Sequence, residues 1–269
     1  MRVHQSETSR YDPEETDLER AIAATDWLRE LRTDPAPRHH LVCFPPGGGS
    51  ATAYRDLARR TGPGIAVLGV QYPGRQDRLG EPAVPDLHTL ADRIAAELLP
   101  QPVDRLALFG HSMGATVAYE TARRLTEAGL PLTHLFVSGR PAPTFVEPGR
   151  LHQGPDEGLI ADLERLATDP SSVAVLRTEP GLADLVLPAV RADYQAVETY
   201  TPGGTDPLPC PITALVSTAD PTMTPEQGDE WRDFTTGAFR RETFPGGHFY
   251  LDEQVAEVAA LISSVLAES

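Results

Sequence analysis

The chain has 269 residues, 40% of them hydrophobic, enough for a sizeable core in one large domain or two small ones. Acids outnumber bases 39 to 23, and the resulting charge of −16 repels phosphate backbones and argues against a nucleic-acid partner. No apolar run approaches the roughly 20 residues of a membrane span, and the polar start Met1-Arg2-Val3-His4-Gln5-Ser6-Glu7 lacks the apolar stretch of a secretory signal, so a cytoplasmic location is expected.

All 23 bases are arginine, which removes lysine Schiff-base and Ser–Lys chemistry. Cys43 and Cys210 are far apart and have no partner motif, so neither a metal site nor a disulfide is expected.

Residues 1–25 read as a polar extension that runs into a helix. Asp12-Pro13-Glu14-Glu15 supplies an acidic cap, a proline at the first helical position and acids in the first turn. Leu18, Ile22, Trp27, Leu28 and Leu31 give that helix a loose apolar stripe, ended by Thr33-Asp34-Pro35-Ala36-Pro37. Residues 26–269 read as one domain. Strands are predicted at 41–44, 65–70, 106–109, 135–137, 212–216 and 240–244, with helices at 50–60, 87–99, 112–128 and 255–266. Strands apolar throughout and alternating with helices indicate an α/β fold: a mostly parallel sheet covered on both faces. Residues 141–200 interrupt the alternation with helical patterns (Leu159, Ile160, Leu163, Leu166, then Leu182 to Tyr194) cut by prolines. A helical insertion of this kind lies over the carboxyl ends of the strands, where ligands bind, and reads as a lid.

Gly110-His111-Ser112-Met113-Gly114 stands between a predicted strand and a predicted helix and fits Gly-x-Ser-x-Gly, the nucleophile elbow. A serine on so sharp a turn has a strained backbone, and side chains two residues to either side would collide. The helix start also aims free N–H groups at the site. The alternative is a glycine-rich turn in which Ser112 merely caps the helix.

A serine nucleophile needs a histidine base held by a carboxylate, and in this fold the chain order is Ser, acid, His. Of eight histidines only His248, in Gly246-Gly247-His248-Phe249, follows the last strand; His134 and His152 come too early, and His111 reads as surface or structural. Asp220, just past the strand 212–216, is the expected acid. Asp206 falls before that strand, Asp229 on the next helix and Asp193 in the lid. Phe44-Pro45-Pro46-Gly47-Gly48-Gly49-Ser50 can present a backbone N–H to a developing oxyanion, with the Met113 amide as second donor. A phosphate-cradling loop is the rival, but no Gly-Lys-Ser/Thr ending is present.

Together with Gln71-Tyr72-Pro73-Gly74-Arg75 and Leu187-Pro188-Ala189-Val190-Arg191-Ala192-Asp193, these motifs occur in an order that resembles the type II thioesterases. These are stand-alone editing hydrolases of polyketide and nonribosomal-peptide assembly lines within the α/β-hydrolase superfamily. The likeness spans roughly residues 26–267. It implies hydrolysis of acyl thioesters from the phosphopantetheine arm of an acyl or peptidyl carrier protein, without cofactor or metal, by a monomer. It also implies that Gly47 takes the place of the oxyanion-hole alanine. Here the chain departs from the family, with Pro46-Gly47 where an aromatic residue or His and then Ala are usual. Arg75 and Arg78 are expected at the rim as a local basic patch for the carrier, or else paired with acids such as Asp77 and Glu81. A carboxylesterase, an acyltransferase of the same fold and an inactive carrier-binding protein are the other readings.

Overall fold

The computed structural model describes residues 22–269. Among the described residues seven strands form one sheet: β1 (Leu28–Arg32), β2 (His39–Phe44), β3 (Ile65–Val70), β4 (Leu106–His111), β5 (Leu132–Ser138), β6 (Ile212–Ser217) and β7 (Phe239–Phe244). Their spatial order is β1-β3-β2-β4-β5-β6-β7; β1 runs antiparallel to β3 and every other pairing is parallel.

The central strands read as unbroken apolar runs because both faces of the sheet are covered, and their period of two divides each run between two cores. Val42, Phe44, Leu68, Val70, Leu106 and Leu108 face one core, closed by α2 (Leu87–Leu98) and α3 (Met113–Glu127). Leu41, Cys43, Val67, Ala107 and Phe109 face the other, closed by α1 (Arg55–Arg60) and α8 (Val255–Ala267). Each fully buried Leu, Val or Phe contributes about 1.5–3 kcal/mol. Between β5 and β6 lie α4 (Asp156–Leu166), α5 (Pro170–Thr178) and α6 (Pro180–Glu198); the short α7 (Pro225–Asp229) follows β6. Among the described residues no helix is long and apolar enough to cross a membrane.

The predicted apolar stripe from Ile22 to Leu31 does not form a helix. Its C-terminal part is the edge strand β1, in register with β3 from Leu28 opposite Val70. Arg78 secures the entry: its guanidinium lies 4.5 Å from the centre of the Trp27 ring and donates to the carbonyls of Asp26 and Gln71. Pairing along the β3 edge, with a register shift between Glu30 and Arg32, takes up one side of this five-residue segment's backbone and overrides a weak helical period. The expected helix start at 12–15 lies outside the described residues, and Ile22 is buried in the first core.

The strand order reverses between β2 and β4. After β2 the chain moves outward to β3; after β4 it moves the other way to β5. In an open parallel sheet this switch leaves a crevice at the strands' carboxyl ends. Phe44 is paired with Gly110 there, so the loops after β2 and β4 emerge side by side.

Candidate active site

Four loops at the carboxyl ends of β2, β4, β6 and β7 bring the predicted residues together. Ser112 sits between β4 and α3 with φ 54° and ψ −125°, a strained left-handed backbone for a residue with a side chain. The flanking glycines are required by contact. A Cβ on Gly110 would strike the carbonyl of Gly114, and one on Gly114 would lie 2.6 Å from the Pro45 carbonyl oxygen while striking that of Phe44. Ser112 makes no side-chain cap to α3. Its Oγ instead lies 2.9 Å from Nε2 of His248.

On the far side of the imidazole, Nδ1 of His248 is 2.9 Å from Oδ2 and 3.1 Å from Oδ1 of Asp220. Both side chains are shielded from solvent, with exposures of 2% and 0%. Asp220 does not cap α7, because Thr224 does so with a full capping box. Burial raises the Asp220 carboxyl, but the His248 hydrogen bond and charge and the hydrogen bonds from the Thr222 hydroxyl and amide outweigh it. The net shift is downward, and the carboxylate stays ionised. The loops are tied to each other: the Ala219 amide donates to the Gly246 carbonyl, and the Ser217 hydroxyl to that of Gly247.

Thr222 carries no motif of its own in the sequence, and His111, read there as surface or structural, is buried beside the site. Thr222 Oγ1 stands 2.6 Å from Asp220 and 3.2 Å from His248 Nδ1; only its position two residues after the acid hinted at this. His111 is buried, with its ring centre 5.0 Å from that of His248, and its Nδ1 is 2.9 Å from the Ser138 hydroxyl, which meets the Tyr250 hydroxyl at 2.7 Å. Burial, then the nearby His248, pushes its pKa down to about 3, so a neutral ring packs beside the His248 imidazole.

The glycine loop after β2 closes the site from the other side. Tyr54 donates to the Phe44 carbonyl at 2.7 Å and Tyr72 to that of Pro45 at 3.3 Å, and Gly49 N–H turns back to Pro46. Among the described residues no acceptor takes the Gly47 amide, and the Met113 amide, first in α3, has no intrahelical acceptor. Gly47, Met113, Ser112 and His248 all border a cavity of about 240 Å³. Its outer wall comes from α4 and α6, with Leu163, Leu166, Tyr194 and Val197 contributing apolar surface. Among the described residues no three His, Cys, Asp or Glu side chains are placed to hold a metal.

Arg75 and Arg78 do not form an exposed basic patch. Arg78 is 7% exposed and pairs with Glu81; Arg75 is 8% exposed and pairs with Asp193 on α6, while Asp77 pairs with Arg29. Both guanidiniums are used inside the fold.

A catalytic-type Ser–His–Asp geometry on this sheet occurs in many hydrolases, and similarity to known proteins narrows the choice. The sequence matches the thioesterase-domain family over residues 39–266. The chain belongs to the thioesterase family. It is 44% identical over 243 residues to a probable cadicidin biosynthesis thioesterase of Streptomyces griseus, an alignment covering 90% of this chain and 66% of that protein. It is 40% identical to thioesterase PikA5 of Streptomyces venezuelae, over 89% of this chain and 85% of that one. The chain therefore spans just under two thirds of the first relative and most of the second. Among solved structures, the type II thioesterase BorB from the borrelidin biosynthetic cluster matches with a TM-score of 0.82 at 40% identity, over 91% of this chain and 100% of that chain. The protein is thus an α/β-hydrolase-fold thioesterase, a hydrolase acting on thioesters and related to the type II thioesterases of polyketide and nonribosomal-peptide clusters.

Proposed function

We propose that this thioesterase releases acyl groups from the phosphopantetheine arm of acyl or peptidyl carrier proteins by way of an acyl-enzyme on Ser112. The observation that carries the reading is the line Ser112 Oγ–His248–Asp220, with both links at 2.9 Å, at the edge of an apolar-walled cavity in a member of this family.

In this mechanism Ser112 Oγ attacks the thioester carbonyl while His248 Nε2 takes its proton. Asp220 holds the imidazole in the tautomer that accepts at Nε2 and stabilises the imidazolium. The oxyanion that forms is received by the Gly47 and Met113 amides. The carbon–sulfur bond then breaks, His248 returns its proton to the pantetheine thiolate, and the thiol leaves. Water, deprotonated by the same imidazole, opens the Ser112 ester and frees the acid. Residues 141–200, carrying α4 to α6, serve as the lid over the acyl chain, and the rest of residues 26–269 is the scaffold. The enzyme works as a monomer in the cytoplasm; the unpaired buried thiols of Cys43 and Cys210 suit a reducing compartment.

The reading is tested by comparing kcat/KM on an acyl-phosphopantetheinyl carrier protein with that on an oxygen ester of the same acyl group. Thioester cleavage is expected to be much the faster. Equal or faster ester cleavage would favour a carboxylesterase, and product accumulating only with an added amine or alcohol would favour an acyltransferase.

A further inference from the structure

Asp193 is a buried acid that this mechanism does not use. It projects from α6 into the edge of the cavity, is 2% exposed, and is fully engaged. Oδ2 accepts from the Gly48 amide at 2.7 Å and from Arg75 Nη1 at 2.7 Å, and Oδ1 accepts from Arg75 Nη2 at 2.8 Å. Arg75 Nη1 also donates to the Gly49 carbonyl at 3.1 Å, and the guanidinium carbon lies 5.3 Å from the centre of the Tyr72 ring. The pair therefore grips the glycine loop at two successive residues, one through its N–H and one through its C=O. Packing repeats the link: a Cβ on Gly48 would sit 3.4 Å from Val190, and one on Gly47 would sit 3.6 Å from Cβ of Asp193. Gly48 has φ +72°, a conformation that side chains rarely adopt, so the loop needs an external hold to keep one shape.

We infer that Asp193, with Arg75, is a positioning residue that locks the Gly47 oxyanion donor to the helix forming the cavity wall. The Gly47 N–H lies in the Pro46–Gly47 peptide plane, whose carbonyl accepts from the Gly49 amide at 2.9 Å, so gripping Gly48 and Gly49 holds the donor's plane through that turn. Asp193, Tyr194 and Val197 share α6 and the cavity, so the surface that meets the acyl chain and the loop that meets the oxyanion move as one body. An acyl chain that displaces α6 moves the oxyanion donor with it, and fit is read out in turnover rather than in binding alone.

The inference rests on the Ser112 acyl-enzyme reading, and two double variants test it separately. Arg75→Gln with Asp193→Asn replaces the ion pair by amides and keeps an acceptor for Gly48. Arg75→Met with Asp193→Val replaces it by an apolar pair of similar size, an exchange that buried ion pairs often tolerate, and leaves the Gly48 amide without its acceptor. For Met/Val, kcat on an acyl-pantetheine thioester should fall about 100-fold, the scale of losing one oxyanion donor. KM should stay within about threefold, as for a contact that matters only in the transition state. Affinity for a trifluoromethyl ketone analogue, which forms the oxyanion, should fall in the same proportion, and affinity for the matching amide, which does not, should hold. Gln/Asn should keep kcat within about tenfold of the parent, since its hydrogen bond is retained. Met/Val at parental kcat overturns the inference, as do two variants equally slow with ketone affinity intact. If Met/Val does not fold, a 100-fold loss in folded Gln/Asn overturns it. Retained turnover in Ser112→Ala would instead defeat the mechanism itself, whatever the pair does.

Discussion

At the scale of single residues, the pH dependence of turnover follows from which group must lose a proton. In the proposed mechanism His248 has to be neutral to accept from Ser112, while Asp220, held below the usual carboxylate range, is ionised. kcat/KM should therefore rise with pH to a plateau, because only the neutral imidazole can accept the serine proton. A flat profile from pH 5 to 9 would exclude a histidine base. Ser112, Asp220 and His248 are legible in the sequence because each is confined by chain order: an elbow between strand and helix, an acid just past the next-to-last strand, a histidine past the last. Asp193 has no such address. It stands 118 residues from Arg75 and looks like one more acid on a helix until the fold folds α6 over the glycine loop. Arg75 and Arg78 are legible in part: pairing with acids is one of their two readings, and Arg78 does meet Glu81, but Arg75 turns inward to Asp193, far along the chain, rather than to a near neighbour.

At the scale of elements, α4 presents two leucines with different duties. Leu159 is 0% exposed and absent from the cavity wall; Leu163, one turn on, borders the cavity. Leu163→Asp should change the ratio of kcat/KM between short and long acyl substrates by about tenfold or more, the worth of a methylene or two in an apolar pocket, with little change in melting temperature. Leu159→Asp should instead destabilise by about 3 kcal/mol or more, because it buries an unpaired carboxylate. Profiles of chain length and thermal unfolding on both variants decide it; matching behaviour would remove the distinction. The six strands predicted from apolar runs all occur; 65–70 matches as predicted, and the other five are extended by one to four residues where pairing continues past the apolar stretch. β1 escaped because an edge strand needs only one good face. Leu28 is buried while Arg29, Glu30 and Arg32 reach solvent at least in part, and the remaining apolar positions happen to fall at helical spacing. The partner that decides the matter, β3, lies far along the chain.

At the scale of the molecule, four buried histidines make stability depend on pH. Burial lowers the pKa of His39 and His40, takes His134 to about 4 and takes His111 to about 3. Each holds a proton less tightly when folded than when unfolded, where it takes one near pH 6.5. Below pH 6.5 the unfolded chain binds more protons, so stability present above that value is lost on acidification, and the loss continues until the folded groups titrate, near 4 for His134 and 3 for His111. Each of these two contributes a slope of about 1.4 kcal/mol per pH unit within its window. Calorimetry should find the melting temperature falling steadily from pH 6.5 towards 4; a constant value from 7 to 5 would show that these rings are protonated in the fold. In the proposed mechanism the whole assembly, two cores clamping a sheet whose switch point holds Ser112, serves one act: capturing an acyl group from a thioester. Intact-protein mass spectrometry after rapid mixing with an acyl-phosphopantetheinyl carrier protein tests that act most directly. The account predicts a transient enzyme species heavier by the acyl group, mapped to the peptide holding Ser112, free carrier thiol formed in step with it, and neither in Ser112→Ala. Carrier deacylation at the parental rate by Ser112→Ala, or an acyl adduct mapped to any other residue, would contradict it.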